Sequence, residues 1–324
     1  MSIHVLQPGL LTTVQDLGRT GQQQFGIPVA GAMDPRSAAL ANILVGNPQS
    51  AAVLECTLMG PRLQFDSPVF FAITGGDLSP ALDGVPIPMY RTMQALPGQV
   101  LSFGTLRTGC RSYLACYGGI DVPLVMGSRS TYLKAAIGGF QGRPLKAGDR
   151  LPVGRTSKSL PNLNNRHLSP EFIPRPIYTL RVVMGPQDDA FTAAGISTFL
   201  TQTYSLTNEC DRMGYRLDGP PIQHRTSANI ISDGMVFGAI QVPDSGNPII
   251  MLADRQTIGG YTKIAAVISA DFRLLGQLKT GDRVRFESVS IQEAQEALIA
   301  QRKALHLLES VFRNHTSAHT RPGR

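Results

Sequence analysis

Reactive residue types concentrate in one stretch of this sequence, Asn247 to Ala266, reading NPIIMLADRQTIGGYTKIAA. An apolar run, Ile249 to Leu252, leads into Asp254, Arg255, Gln256 and Thr257, then a glycine pair, Tyr261 and Lys263. A carboxylate, a guanidinium, an amide and a hydroxyl in succession between apolar strands are costly to bury unless each finds a partner. Arg255, and Arg212 upstream, suit a small carboxylate, because a guanidinium fork pairs with it at two points and stays charged. Asp254 suits a general base or a magnesium ligand, and Lys263 suits a phosphate or carboxyl oxygen. That makes Asp254, Arg255 and Lys263 the candidate catalytic residues. Arg212, Gln256, Thr257, Gly259, Gly260 and Tyr261 are the candidate substrate-binding residues. The glycines permit φ > 0, close approach of a ligand, or an anion-binding nest of amides. Each candidate also has a structural alternative: an arginine paired with Asp211 or Asp254, Asp254 as a hairpin cap, Tyr261 as a core aromatic.

The elements that must position these groups are mostly short strands. A strand near Ile3–Leu6 precedes a glycine-punctuated loop. Asp34 then caps a helix with Pro35 at its first position and Gly46 at its end. From Val53 to Val153, β-branched or alternating runs are separated by turn signals such as Gly75-Gly76-Asp77, Asp83-Gly84 and Gly148-Asp149, which argues for a β barrel or sandwich. Residues 155–176 hold four prolines and no apolar period, the composition of an exposed linker. Strands resume at Tyr178–Met184, Asp188 or Asp189 is expected to cap a helix to about Leu200, and a Ser290-x-x-Glu293 capping box opens a last helix. The expected organisation is therefore an N-terminal β-barrel-like domain over 1–154, a linker over 155–176, a β domain over 177–289, and a helix with a basic, disordered tail over 290–324. An internal echo, Leu145-Lys-Ala-Gly-Asp-Arg-Leu151 against Leu278-Lys-Thr-Gly-Asp-Arg-Val284, suggests duplication.

At 324 residues, 42% hydrophobic, the chain has material for two globular cores. Residues 155–176 carry a net of +3 and residues 301–324 a net of +4, which together are the whole formal charge of +7. The remaining body is neutral, which argues against a nucleic-acid-binding face. No basic segment precedes an apolar core at the N-terminus, and no window approaches 18 apolar residues, so a cytoplasmic protein that does not engage a membrane is expected. Cys56, Cys110, Cys116 and Cys210 lack CxxC spacing and read as core fillers in a reducing compartment. There is no GxxxxGK[ST] loop, no HExxH, no GxSxG and no AMKM-like biotin acceptor, so neither a nucleotide cradle nor a metal-ligand set is assigned. Glu55, amid apolar strand residues, needs a buried partner such as an arginine.

The Asp254–Ala265 run resembles the DRQTTGGYPKIA signature of a family formed by the C subunits of prokaryotic ATP-dependent 5-oxoprolinase. That family includes the antagonist of the sporulation-kinase inhibitor, the second component of allophanate hydrolase, and the carboxyltransferase domain of urea carboxylase. Other matching blocks are Gln15-Asp16-Leu17-Gly18-Arg19, Gly31-Ala32-Met33-Asp34, Gly127-Ser128-Arg129-Ser130-Thr131, Gly185-Pro186-Gln187, Asp211-Arg212-Met213-Gly214-Tyr215 and Gln241-Val242-Pro243. Two departures are Ile258, where a second threonine is usual, and Thr262, where a proline is usual. The resemblance implies a mainly β fold of two cyclophilin-like barrel halves with few helices. It implies work in a 5-oxoprolinase complex, in direct contact with the B subunit and together with the A subunit, opening 5-oxo-L-proline to L-glutamate. ATP and Mg2+ are then required at the level of the complex. Two other readings are carboxyl transfer to a urea-like amide from carboxybiotin on a partner, and a non-catalytic antagonist of a kinase-inhibitor-like B subunit.

Overall fold

The computed structural model describes residues 1–155 and 163–314. The chain divides into two compact units, and neither is continuous in sequence. Unit 1 comprises residues 1–18, 34–173 and 302 onward, and unit 2 comprises residues 19–33 and 174–301. Along the chain the units change over at 18/19, 33/34, 173/174 and 301/302.

In unit 1 the strands form two sheets. The six-stranded sheet runs Arg150–Pro152, Ser2–Gln7, Arg62–Phe65, Val100–Phe103, Pro80–Leu82, Val85–Pro86, and the five-stranded sheet runs Leu11–Gln15, Val53–Thr57, Thr108–Cys116, Val69–Asp77, Thr92–Ala95. One core draws on both: Ile3, Val5 and Leu63 from the first, Leu54, Phe71 and Leu114 from the second. The two sheets bury one apolar face each, the arrangement of a sandwich. The helix Pro35–Val45 lies against the second sheet, with Asp34 accepting the Ser37 N–H at 2.9 Å and Gly46 closing it at φ 81°.

Buried polar residues of unit 1 are tied to one another. Tyr113 donates to Glu55 at 2.8 Å and accepts the Asp34 N–H at 2.8 Å. Arg111 stands 3.8 Å from Glu55, so the partner expected for Glu55 is present. Burial, reinforced by that carboxylate, pushes the Tyr113 hydroxyl well above its ordinary pKa. Asp16 accepts from the Gly18 and Arg129 amides at 2.8 and 2.6 Å and from the Ser128 and Ser130 hydroxyls at 2.6 and 2.5 Å. One carboxylate therefore pins the 127–131 segment to the 15–18 turn.

Unit 2 is a closed barrel of seven strands, in order Tyr178–Met184, Lys263–Val267, Ala239–Gln241, Ile249–Met251, Gly214–Asp218, Tyr204–Cys210 and Arg283–Ser288. Directions cannot alternate around an odd-numbered ring, so one neighbouring pair must be parallel. That pair is Tyr178–Met184 with Arg283–Ser288. Alternate residues such as Leu180, Val182, Leu217, Ile240 and Ile250 fill the interior. The echoed heptapeptide makes the same turn twice: the Lys146 and Lys279 amides donate to Asp149 and Asp282 at 2.7 and 3.0 Å, with Gly148 and Gly281 at φ 90° and 85°.

Two expectations change. The linker is packed along its described part. Arg166 is buried, donating to the Phe312 carbonyl at 2.9 Å with its guanidinium over the Phe312 ring, and Glu171 takes both ends of Arg36 at 2.5 and 2.6 Å. Burial lowers the Arg166 pKa. Asp188–Ala190 form only a 3-10 turn, and Thr192 caps the helix Ala193–Thr201 because its hydroxyl, not the aspartates, accepts the Gly195 N–H at 2.9 Å. On the last helix, Ile291–Asn314, the capping box forms, with Ser290 and Glu293 exchanging bonds of 2.8 and 3.1 Å. Ile291 is nonetheless exposed while Leu305 is buried. The expected disordered tail after Asn314 lies outside the described residues.

All four cysteines are free thiols, and burial pushes Cys56 and Cys116 up to about 12. Among the described residues no helix is long and apolar enough to cross a membrane. The Asp16 knot yields a prediction. Asp16→Ala removes the acceptor from two amides and two hydroxyls, each charge-assisted bond being worth about 1.5–3 kcal/mol. Chemical denaturation is expected to show a loss of at least about 3 kcal/mol, and a loss below about 1 kcal/mol would exclude this role.

Candidate functional site

The polar run of 254–257 follows the barrel strand Ile249–Met251 and turns back into the strand Ile258–Tyr261. Its first carboxylate is fully engaged. Arg212 meets Asp254 through two bonds, Nε to Oδ2 at 3.0 Å and Nη2 to Oδ1 at 2.9 Å, with the side chains 5% and 6% exposed. Arg212 also donates to the Gly31 carbonyl at 2.7 Å. Asp211 does not compete for it. That side chain accepts the Met213 and Gly214 amides at 2.7 and 3.1 Å and shapes the 211–214 turn. The structural alternative therefore holds for this pair. Arg212, expected as a substrate clamp, and Asp254, expected as a base or magnesium ligand, here form a buried pair in which two desolvated charges of opposite sign satisfy each other in fork geometry.

Arg255 turns inward as well. Its guanidinium donates to the Met235 and Leu252 carbonyls at 3.1 and 3.2 Å and lies 5.9 Å from the centre of the Phe237 ring. Burial brings its pKa down to about 10, which leaves it charged at neutral pH. It braces the loop from below and is absent from the groove described next. Lys263, 3% exposed, reaches Asp233 at 2.7 Å, and Gln187 joins them by accepting the Lys263 amide at 3.1 Å. The lysine holds the Asp233 carboxylate below its usual range.

The glycine pair adopts neither φ > 0 nor a nest. Gly259 and Gly260 sit inside a strand that pairs with Asn229–Gly234, in register Gly259 to Asp233 and Tyr261 to Asn229. An anion nest requires backbone turned alternately right- and left-handed, and an extended ribbon does not supply it. Space explains Gly259 instead: a Cβ there would stand 2.6 Å from both the Gln241 Nε2 and the Met235 Cε. Thr262, where the family signature carries proline, donates its amide to Ala228 at 2.8 Å, and its hydroxyl meets His224 Nε2 at 3.0 Å. Ile258, the other departure, is exposed on the ribbon.

What the loop offers outward is Gln256 and Tyr261. Both line a groove of about 470 Å³ on the outer face of the barrel, where Met213, Ile249 and Met251 supply apolar surface and Gln241 an amide. The outer position follows from period 2: Ile240, Ile250 and Tyr215 point inward, so Gln241, Met251 and Gly214 face out. Such a volume suits a small organic molecule. Thr257 lies half-buried beside the groove, its carbonyl accepting the Met235 amide at 2.9 Å. Gln241, Asp233, Phe237 and the methionines were missed as site residues from sequence. Gln241 carried a signal as the head of the matching Gln241-Val242-Pro243 block, and Met213 as a member of the Asp211–Tyr215 block.

Residues 25–288 match the family described as carboxyltransferase domain, subdomain A and B. The chain is 38% identical over 297 residues to the C subunit of 5-oxoprolinase from Escherichia coli strain K12, covering 91% of this chain and 94% of that protein. It is 37% identical over 295 residues to the C subunit of 5-oxoprolinase from Haemophilus influenzae, covering 90% and 93%. Among solved structures, the Kluyveromyces lactis urea carboxylase superposes with a TM-score of 0.88 at 32% identity, covering 95% of this chain and 29% of that one.

The geometry separates scaffold from surface, and stability measurements should do the same. Asp254→Ala strips the counter-charge from a buried guanidinium and is expected to cost about 3–5 kcal/mol. Gln256→Ala, at an exposed position, should stay within about 0.5 kcal/mol of the parent. Equal melting of the two variants would rule out the scaffold assignment.

Proposed function

This chain belongs to the carboxyltransferase-domain family, subdomains A and B, and from that premise we propose that it is the C subunit of a cytoplasmic, ATP-dependent 5-oxoprolinase. The observation that carries the reading is the near end-to-end match with the 5-oxoprolinase C subunits, which leaves little of either chain unaccounted for. In this reading the chain binds the B subunit directly, the A subunit completes the assembly, and 5-oxo-L-proline is opened to L-glutamate.

The substrate is a lactam, and amide resonance makes its hydrolysis slow without activation. ATP with Mg2+ supplies that activation at the level of the complex. The polar loop of this chain does not fit a magnesium site: Arg212 engages both oxygens of Asp254, and the described residues contain no group of three or more His, Cys, Asp or Glu placed to hold a metal. The proposed work of this chain is binding and orientation, with Gln256 and Tyr261 meeting the substrate in the groove while Arg255 and Lys263 hold the loop and ribbon that present them.

A second reading rests on the close superposition with urea carboxylase. It is carboxyl transfer from carboxybiotin on a partner chain to a urea-like amide nitrogen, and the same groove would hold that amide. Reconstitution decides between the two. ATP-dependent release of glutamate from 5-oxoproline is expected with all three chains of the complex present, and no turnover from this chain alone. Robust turnover by the single chain would overturn the proposal, as would carboxylation of urea dependent on a biotin carrier in the absence of 5-oxoproline cleavage.

A further inference from the structure

Gln241 closes the barrel end of the groove, and its amide is only half used. The residue is 6% exposed, and Nε2 donates to the Tyr261 carbonyl at 3.3 Å. Among the described residues nothing donates to Oε1, and that atom is not sealed off from solvent, since it is absent from the buried polar atoms that lack a partner. A buried carboxamide whose nitrogen is fixed by a backbone carbonyl presents its oxygen in one direction. Gln241 lines a groove in which Met213, Ile249 and Met251 supply the apolar surface and Glu209, Asp211 and Arg216 charged groups.

Gly259 keeps the amide in place. A Cβ at that position would collide with Gln241 Nε2 at 2.6 Å, yet the backbone is extended and would accept any L-residue. The glycine is therefore required by the neighbouring side chain, not by its own conformation. The Tyr261 carbonyl and the space at Gly259, both on the ribbon strand, thus fix the Gln241 amide at the wall of the groove.

We propose that the Gln241 carboxamide oxygen receives the N–H of a small amide ligand, and, resting on the function proposed above, that this ligand is the lactam 5-oxoproline with its ring methylenes against Met213, Ile249 and Met251. A carboxamide oxygen selects for a donor: a lactam N–H satisfies it, whereas an N-alkylated lactam leaves it buried and unmatched. Gln241 is a binding and positioning residue in this arrangement.

The test uses the full chain in the reconstituted complex, with ligand-detected NMR titration of 5-oxoproline and of N-methyl-5-oxoproline. The parent protein is expected to bind the N–H compound about tenfold more tightly than the N-methyl compound. Gln241→Leu should lose that preference. Gly259→Ala should lose it too, because the added methyl meets only the ends of two flexible side chains and displaces the amide without unfolding the strand. It keeps the test valid if Gln241→Leu fails to fold. Equal binding of the two ligands by the parent, or an undiminished preference in both variants, overturns the inference. If ATP-dependent cleavage of 5-oxoproline persists in that case, the place of this chain in a 5-oxoprolinase still stands. A Gln241-dependent preference for urea over tetramethylurea, without 5-oxoproline binding, supports the donor contact and overturns the lactam as its ligand.

Discussion

The buried Arg212–Asp254 pair is the constraint around which unit 2 is arranged. Two charges that are 5% and 6% exposed cannot be left half-satisfied, because the desolvation cost of each is recovered only through fork geometry and further hydrogen bonds. Satisfying them brings three backbone segments to one place. The Asp254 amide donates to the Arg212 carbonyl at 2.8 Å, the Leu252 amide to Met213 at 2.9 Å, the Ala30 amide to Ala253 at 3.1 Å, and Arg212 itself to Gly31 at 2.7 Å. With the turn after Leu252 fixed in this way, Arg255 points toward the Met235 and Leu252 carbonyls and Gln256 is left facing outward. The division between inward and outward groups in the loop is thus set by a contact made before its outward residues begin.

That division also explains how the loop's charges coexist. Asp254 and Arg255 are adjacent in sequence but answer to different partners, a guanidinium and a pair of carbonyls. Lys263 finds its carboxylate on the neighbouring ribbon strand at Asp233. Each ion is neutralised or solvated by protein, so the surface that the loop and ribbon present to the groove is uncharged: an amide and a phenol beside thioethers. The charged groups of the groove, Glu209, Asp211 and Arg216, come instead from the 208–216 segment.

Where local rules decide the outcome, the sequence was readable. Asp34, Pro35 and Gly46 frame the first helix, Ser290 and Glu293 open the last, the Gly-Asp echo builds the same turn twice, and Glu55 finds Arg111 and Tyr113 across the sheet. The location of the polar loop was readable for the same reason, since four polar residues between apolar strands demand partners. Which residues would be partners and which would face a ligand was not. That depended on Gly31, 181 positions from Arg212, and on Gln241 filling the space beside Gly259. The linker shows the same limit. Its composition reads as exposed, but Arg166 is drawn in by Phe312, 146 positions away, a contact no window of neighbouring residues contains. The two departures from the family signature are likewise explained only by tertiary surroundings. Thr262 uses an amide hydrogen that proline lacks, and Ile258 stands exposed on the ribbon.

Residues 19–33 belong with a barrel whose first strand begins only at Tyr178. During synthesis this loop leaves the ribosome long before anything it docks against exists. With 181 residues separating Gly31 from Arg212, elongation at the usual pace imposes a wait of roughly 10–40 s. Unit 1 has most of its strands by then, so the loop must remain as an open excursion from a nearly complete sandwich, its buried-to-be Arg19 and Met33 in water. Chaperone engagement, nascent-chain proteolysis and misassembly would all find their opportunity in that interval. A second half expressed alone from residue 174 would lack the Gly31 carbonyl to which Arg212 donates, because that carbonyl lies upstream of the cut.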